Sequence, residues 1–159
     1  MLSCFKGAEQ VLATDINSHA VKNTKKNAKL NNLNNLEVRK SDVYSKIKKS
    51  EKFDIIFWNT PWGKTPKSYE KKMKSEDYGG FDPEYKSISK LILEGKKYLT
   101  ETGALFLGFG VEGADIELIE KLIKKAKLKK KIIADRYFSP GERIKGKLIK
   151  FRMKLYKLS

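Results

Sequence analysis

Asp15, Asp42 and Asn59 stand where three runs of strand character stop: Asp15 after VLAT, Asp42 after VRKS and Asn59 after IIFW. Ligands of an open parallel sheet bind beyond the carboxyl ends of its strands, so three polar tips in succession suggest one crevice. A carboxylate at the end of a second strand can accept hydrogen bonds from both ribose hydroxyls of an adenosine-bearing ligand. Taken singly, each residue reads more simply as a helix cap or a turn residue; their order carries the inference. The third tip is the richest. In FDIIFWNTPWGKTP, residues 53 to 66, the apolar run ends in Asn59, Thr60, Pro61, Trp62 and Gly63, which sets an amide, a rigid turn and a large ring side by side. The bland alternative there is a proline turn beside a core tryptophan.

The elements that must position these tips follow from branched and aromatic content. Strands are expected over 9–16, 36–43, 53–59, 104–110, 130–138 and 147–158. After Asn17 and Ser18, either of which can cap a helix, Val21, Thr24 and Ala28 share one face until an asparagine cluster ends the segment. Asp82 and Pro83 predict a second helix start, with Tyr85, Ile88, Ile92, Gly95 and Leu99 on one stripe and Thr102–Gly103 as its stop. A third helix carries Ile116, Ile119, Ile123 and Ala126. Alternating strands and helices, then two strands around the turn SPGE (139–142), predict an α/β fold with a mostly parallel sheet and an antiparallel strand near its end. The polar stretch before residue 80 is too long for a simple connection, so GFDPEY, residues 80 to 85, reads as a lid over the crevice, with a flexible exposed loop as the alternative. Gly108 and Gly110 would permit close approach to a substrate.

A chain of 159 residues fits a single domain, 1–159, and 40% hydrophobic content argues against disorder. No apolar run reaches the roughly 18 residues that span a bilayer. MLSCFKGAEQ has neither signal-peptide nor transit-peptide character, which points to the cytoplasm. Cys4 and His19 are the only cysteine and histidine, too few for a Cys/His metal site. With 35 Lys+Arg against 19 Asp+Glu the net charge is +16, which favours polyanionic partners; a lysine-rich solubilising surface is the competing reading. KLIKKAKLKKK, residues 121 to 131, continues an amphipathic helix and reads as a solvated face, and the alternating cations from Arg143 to Lys157 fit a half-exposed strand.

The string ATDINSHAVKNTKKNAKLNN, VRKSDVYS and EKFDIIFWNTPWG resembles class I S-adenosylmethionine-dependent methyltransferases, in the small-domain group that includes release-factor glutamine and ribosomal RNA guanine methyltransferases. The likeness runs from about residue 9 to about residue 137. It implies a Rossmann-like sheet with S-adenosylmethionine as cofactor. Asp15 would hold the ribose and Ile16 pack on the adenine; Asp42 would accept from the exocyclic amino group and the Val43 N–H would donate to a ring nitrogen. Asn59, Thr60, Pro61 and Trp62 match the family's Asn/Asp-Pro-Pro-aromatic tetrapeptide, whose enzymes methylate an amide or amino nitrogen beside a planar π-system. Such a nitrogen attacks the sulfonium methyl only if its geometry is held and its developing charge is stabilised, which two acceptors do: the Asn59 side-chain oxygen and the Thr60 carbonyl, with Trp62 stacked on the planar group. Thr60 replaces the usual proline but keeps the carbonyl, and Pro61 still pushes it toward extended backbone.

The same likeness implies a strand and a glycine-rich turn upstream of Glu9, which this sequence does not contain. That strand would lie centrally, between the one ending at Asp15 and the one ending at Asn59. The expectations are therefore a longer natural product, ahead of a degenerate reading frame or a partner segment that completes the sheet in trans, with two unpaired interior edges and weak or no cofactor binding by these 159 residues. Partners implied are ribosomal RNA, transfer RNA, the ribosome or a translation-factor protein. The rival reading is a non-catalytic RNA- or ribosome-binding domain that keeps the fold; a nicotinamide-dependent oxidoreductase is disfavoured because no G-x-G-x-x-G follows a first strand.

Overall fold

The computed structural model describes residues 2–61, 63–65, 68, 71–74, 77–139, 143–144, 147–148 and 150–159. The chain divides into two compact units, Met1–Lys48 and Lys49–Ser159. In the first unit a short helix α1 (Leu2–Phe5) precedes β1 (Val11–Asp15), α2 (Ser18–Leu30) and β2 (Leu36–Lys40). Asn17 caps α2, its side-chain oxygen accepting from His19 N–H at 2.8 Å. Val21 and Ala28 are buried and Thr24 is half-buried, as their spacing requires. Asn31 closes the helix and Asn32 turns the chain with φ +52°, a conformation asparagine tolerates better than most residues. The crossover brings β2 parallel to β1, with Val11 opposite Leu36 and Asp15 opposite Lys40. Both strands are shorter than expected: side chains at their carboxyl ends capture backbone groups that the ladder would need next.

The second unit contains β3 (Phe53–Asn59), β4 (Gly63–Thr65), β5 (Phe81–Pro83), α3 (Lys86–Glu94), β6 (Leu99–Gly110), α4 (Ile116–Lys125), β7 (Lys130–Phe138), β8 (Arg143–Ile144), β9 (Lys147–Leu148) and β10 (Phe151–Leu158). Its main sheet has the order β3-β6-β10-β7, with β3 parallel to β6 and β10 antiparallel to both its neighbours. The expected mostly parallel sheet with one late antiparallel strand is therefore present, β10 lying between β6 and β7. The strand expected over 147–158 is divided, since Lys147–Leu148 pair with β8 in a separate hairpin. The expected turn SPGE lies mostly outside the described residues. Among the described residues β1 pairs only with β2, and β3 only with β6, so each keeps one unpaired edge.

The expected second helix needs correction at both ends. Phe81–Pro83 forms β5, paired in parallel with β4, and the helix begins at Lys86. Asp82 still caps it, but from a distance, its carboxylate accepting from Ser87 and Ile88 N–H at 3.1 and 2.8 Å. The helix ends at Glu94, Gly95–Tyr98 form a 3-10 turn, and Leu99 opens β6. Thr102–Gly103 do not stop a helix. They lie in β6 where the β3–β6 register shifts, and a Cβ on Gly103 would sit 2.7 Å from the Phe53 carbonyl oxygen.

Strand alternation puts Leu105, Leu107 and Phe109 of β6 on one face, beside Tyr156 and Leu158 of β10, and all are buried. Ile88 and Ile92 of α3 and Ile119 and Ile123 of α4, two helices in contact, are buried as well, and Tyr156 Oη donates to Glu120 at 3.2 Å. The opposite face is different. Ile55 and Phe57 of β3, opposite Ala104 and Phe106, remain 65% and 63% exposed. Gly103→Ala is expected to destabilise the protein by about 1–3 kcal/mol, because backbone on the neighbouring strand must move. Gly79→Ala, where nothing lies within 4 Å, should cost far less; urea denaturation of the two variants compares them.

Candidate functional site

At the carboxyl edge of the first unit's sheet, Ser41 N–H donates to the Asp15 carbonyl at 2.9 Å, which brings the residues following β1 and β2 side by side. The Asp15 carboxylate accepts from Asn17 N–H at 2.7 Å, forming a tight turn whose middle residue, Ile16, is 42% exposed. Asp15 is itself exposed, so the carboxylate retains lone pairs for a second donor. The loop after β2 is built around the Ser41 hydroxyl, which is buried. It donates to the Val43 carbonyl at 2.9 Å and accepts from Lys46 N–H at 3.0 Å. Arg39 closes the same loop by donating to the Lys46 carbonyl at 2.8 Å, and Asp42 N–H donates to Ser45 Oγ at 3.0 Å.

This bracing holds Val43 at φ +48°, a region that β-branched residues rarely occupy. Strain of this kind, of order 1–3 kcal/mol, persists only where surrounding structure imposes it. Among the described residues Val43 hydrogen-bonds only through its carbonyl, leaving its N–H to a ligand or to water. Two carboxylates, an exposed aliphatic side chain and a backbone donor on one edge suit an adenosine-bearing ligand. Asp15, Ile16, Asp42 and Val43 are thus gathered in the first unit.

Asn59, Thr60 and Pro61 belong to the second unit, at the carboxyl end of β3. The Gly108 carbonyl receives two hydrogen bonds from Thr60, one from its N–H at 2.8 Å and one from its hydroxyl at 3.1 Å. Thr60 is 4% exposed and Pro61 is buried, so the turn is fixed from below. Asn59 is exposed and stands directly opposite Gly108. A Cβ at position 108 would come within 3.2 Å of Asn59 Oδ1, so the missing side chain makes room for the amide. Gly108, expected to permit close approach to a substrate, leaves its space against the Asn59 amide. Trp62 lies outside the described residues.

The segment 80–85 is neither an exposed loop nor a lid over its length. Asp82 and Tyr85 are 1% exposed, and Glu84 and Tyr85 both take φ +52°, two left-handed residues in succession. Tyr85 Oη accepts from Asp115 N–H at 2.9 Å, and burial, with the nearby Asp115 and Asp82 charges, raises its pKa. Because β5 pairs with β4, this anchor also fixes the strand that directly follows the Asn59–Trp62 motif.

Residues 1–75 match the methyltransferase small domain family. A protein of Methanocaldococcus jannaschii named as a protein N5-glutamine methyltransferase is 33% identical over 120 residues, covering 74% of this chain and 58% of that protein. The release factor glutamine methyltransferase of Aliivibrio fischeri is 35% identical over 107 residues, covering 64% of this chain and 38% of that protein. Among solved structures, the ribosomal protein L11 methylase of Lactobacillus delbrueckii subsp. bulgaricus superposes with a TM-score of 0.57 at 18% identity, over 98% of this chain and 62% of that one. The chain has the α/β fold of the class I methyltransferases, and the small domain match takes in its first 75 residues. The chain spans just over half the length of the archaeal relative and less of the bacterial one.

Sequence reasoning missed Ser41 and did not foresee that Gly108 clears space for the Asn59 amide. Ser41 had a signal, a small hydroxyl residue directly before the strand-tip Asp42, yet only the folded loop shows it buried with two backbone partners. Ser41→Ala is expected to cost about 0.5–1.5 kcal/mol, since two part-buried backbone groups lose their partner. The same variant should release Val43, read as faster amide hydrogen exchange over residues 42–46; unchanged exchange would mean that the hydroxyl does not brace the loop.

Proposed function

We propose that the chain serves S-adenosylmethionine-dependent N-methylation, in the cytoplasm, of an amide or amino nitrogen in a translation-related substrate: ribosomal RNA, transfer RNA or a protein glutamine. The observation that carries the proposal is the Gly108-anchored tip, which presents the Asn59 amide on a fixed turn with its neighbouring glycine cleared of side chain. The names of the two relatives, both glutamine methyltransferases, favour an amide nitrogen.

In this reading Asp15 accepts from the ribose hydroxyls, Ile16 covers one face of the adenine, and Asp42 with the Val43 N–H fixes its edge. S-adenosylmethionine, when bound, supplies an electrophilic methyl on a sulfonium sulfur. The side-chain oxygen of Asn59 and the carbonyl of Thr60 accept from the target's N–H groups, aiming the nitrogen lone pair and stabilising the positive charge that develops there. Trp62 takes the stacking role. No strong base is required, because the nitrogen's proton becomes acidic once the new C–N bond has formed and leaves to water.

The second reading is an RNA- or ribosome-binding domain without catalysis; the net charge of +16 suits an RNA partner in either reading. A nitrogen-15 NMR titration with S-adenosylmethionine separates the two. Shifts concentrated at the amides of Asp15, Ile16, Asp42 and Val43 are the expected result. Asp15→Ala should weaken them about tenfold or more, the loss of charge-assisted hydrogen bonds being worth ~1.5–3 kcal/mol. Shifts elsewhere, or none at millimolar ligand, would remove the donor site from the proposal.

A further inference from the structure

Lys49, Lys52 and Lys97 line one open hollow of about 480 Å³, together with Glu94 and Tyr98. It lies at the amino ends of β3 and β6, where residues 49–52 enter the sheet and the 3-10 turn leads from α3. Asn59 is at the other end of β3, roughly 20 Å away for seven residues of extended chain. Three ammonium groups face one carboxylate. Among the described residues none of the three lysines makes an ion pair. Lys52 is also held in place, its Nζ donating to the Lys97 carbonyl at 2.6 Å, a carbonyl of the kind that helix ends leave over. Its charge is therefore presented at little further cost in side-chain entropy.

We propose that this hollow is a docking site for the phosphate backbone of RNA. Unpaired, partly fixed lysines are point charges suited to phosphate oxygens, and their release of condensed counterions drives association. The cations line a concavity, which fits a narrow strand of phosphates; a bilayer surface is flat and calls for a convex or planar basic face. Tyr98 is buried and offers no stacking platform, so the contact reads backbone and not sequence. The hollow stands independently of the methyl-transfer reading.

The test is fluorescence anisotropy of the full chain with a labelled single-stranded RNA of about 12 nucleotides and no methyl donor, between about 50 and 200 mM salt. Lys49→Gln/Lys52→Gln/Lys97→Gln should weaken binding about tenfold or more and lower the log–log salt slope by about 2, at ~0.7 per phosphate contact. Lys49→Gln/Lys97→Gln, which leaves the Lys52 bond intact, should lower the slope by about 1.4 on the same scale. Glu94→Gln should tighten binding. The control Lys121→Gln/Lys124→Gln/Lys125→Gln on α4 removes the same charge elsewhere and should have a clearly smaller effect. Equal losses in the two triple variants would show that affinity follows net charge alone and overturn the proposal. So would absence of RNA binding, or binding to anionic phospholipid vesicles that the hollow variants abolish while RNA binding persists.

Discussion

The Gly108 carbonyl, taking both the N–H and the hydroxyl of Thr60, fixes where β3 ends and which way its last side chain points. Side chains alternate along a strand, so a slip of one residue in the β3–β6 register would carry Asn59 to the other face and bring Trp58 into its place. That register is set at the far end of β6. Gly103 approaches the Phe53 carbonyl as only glycine can, absorbing the irregularity between Phe53 and Ile55 so that the ladder runs in step from Ile55 to Asn59. One glycine lets the strands engage, and a second leaves room for the amide they deliver.

The first unit applies a comparable economy to a different end. The bond from Ser41 N–H to the Asp15 carbonyl joins the strand tips, and the Ser41 hydroxyl then holds the following loop in a strained turn at Val43. Strain in a β-branched residue costs stability, and it places a backbone donor beside two carboxylates. Part of the +16 charge lines the hollow at the amino ends of β3 and β6 in the second unit.

Strand tips and helix faces were legible in the sequence because they rest on local physics. Asn17 as a cap, Val21 and Ala28 as a buried face, and Ile119 and Ile123 as another are visible from spacing alone. The segment from Asp82 to Gly103 was misread for the opposite reason. Asp-Pro is a good local helix start, but pairing of Phe81–Pro83 with Gly63–Thr65 holds those residues extended and moves the start to Lys86. Thr102–Gly103 is a good local stop, yet tertiary pairing to Phe53 makes it part of a strand. The same limit applies at the site. The order of Asp15, Asp42 and Asn59 pointed to their strand ends, whereas the supports beneath them, Ser41 and Gly108, act through partners that only folding brings near.

The central claim is that the Asn59 tip holds a nitrogen for methylation. Its most direct measurement is transfer of a tritiated methyl group from S-adenosylmethionine, at millimolar donor, to glutamine-bearing translation-factor protein and to ribosomal RNA, with the labelled atom identified by mass spectrometry. The account predicts label on an amide or amino nitrogen, lost in a folded Asn59→Ala variant. Label on carbon or oxygen, or an undiminished rate without the Asn59 amide, would contradict it.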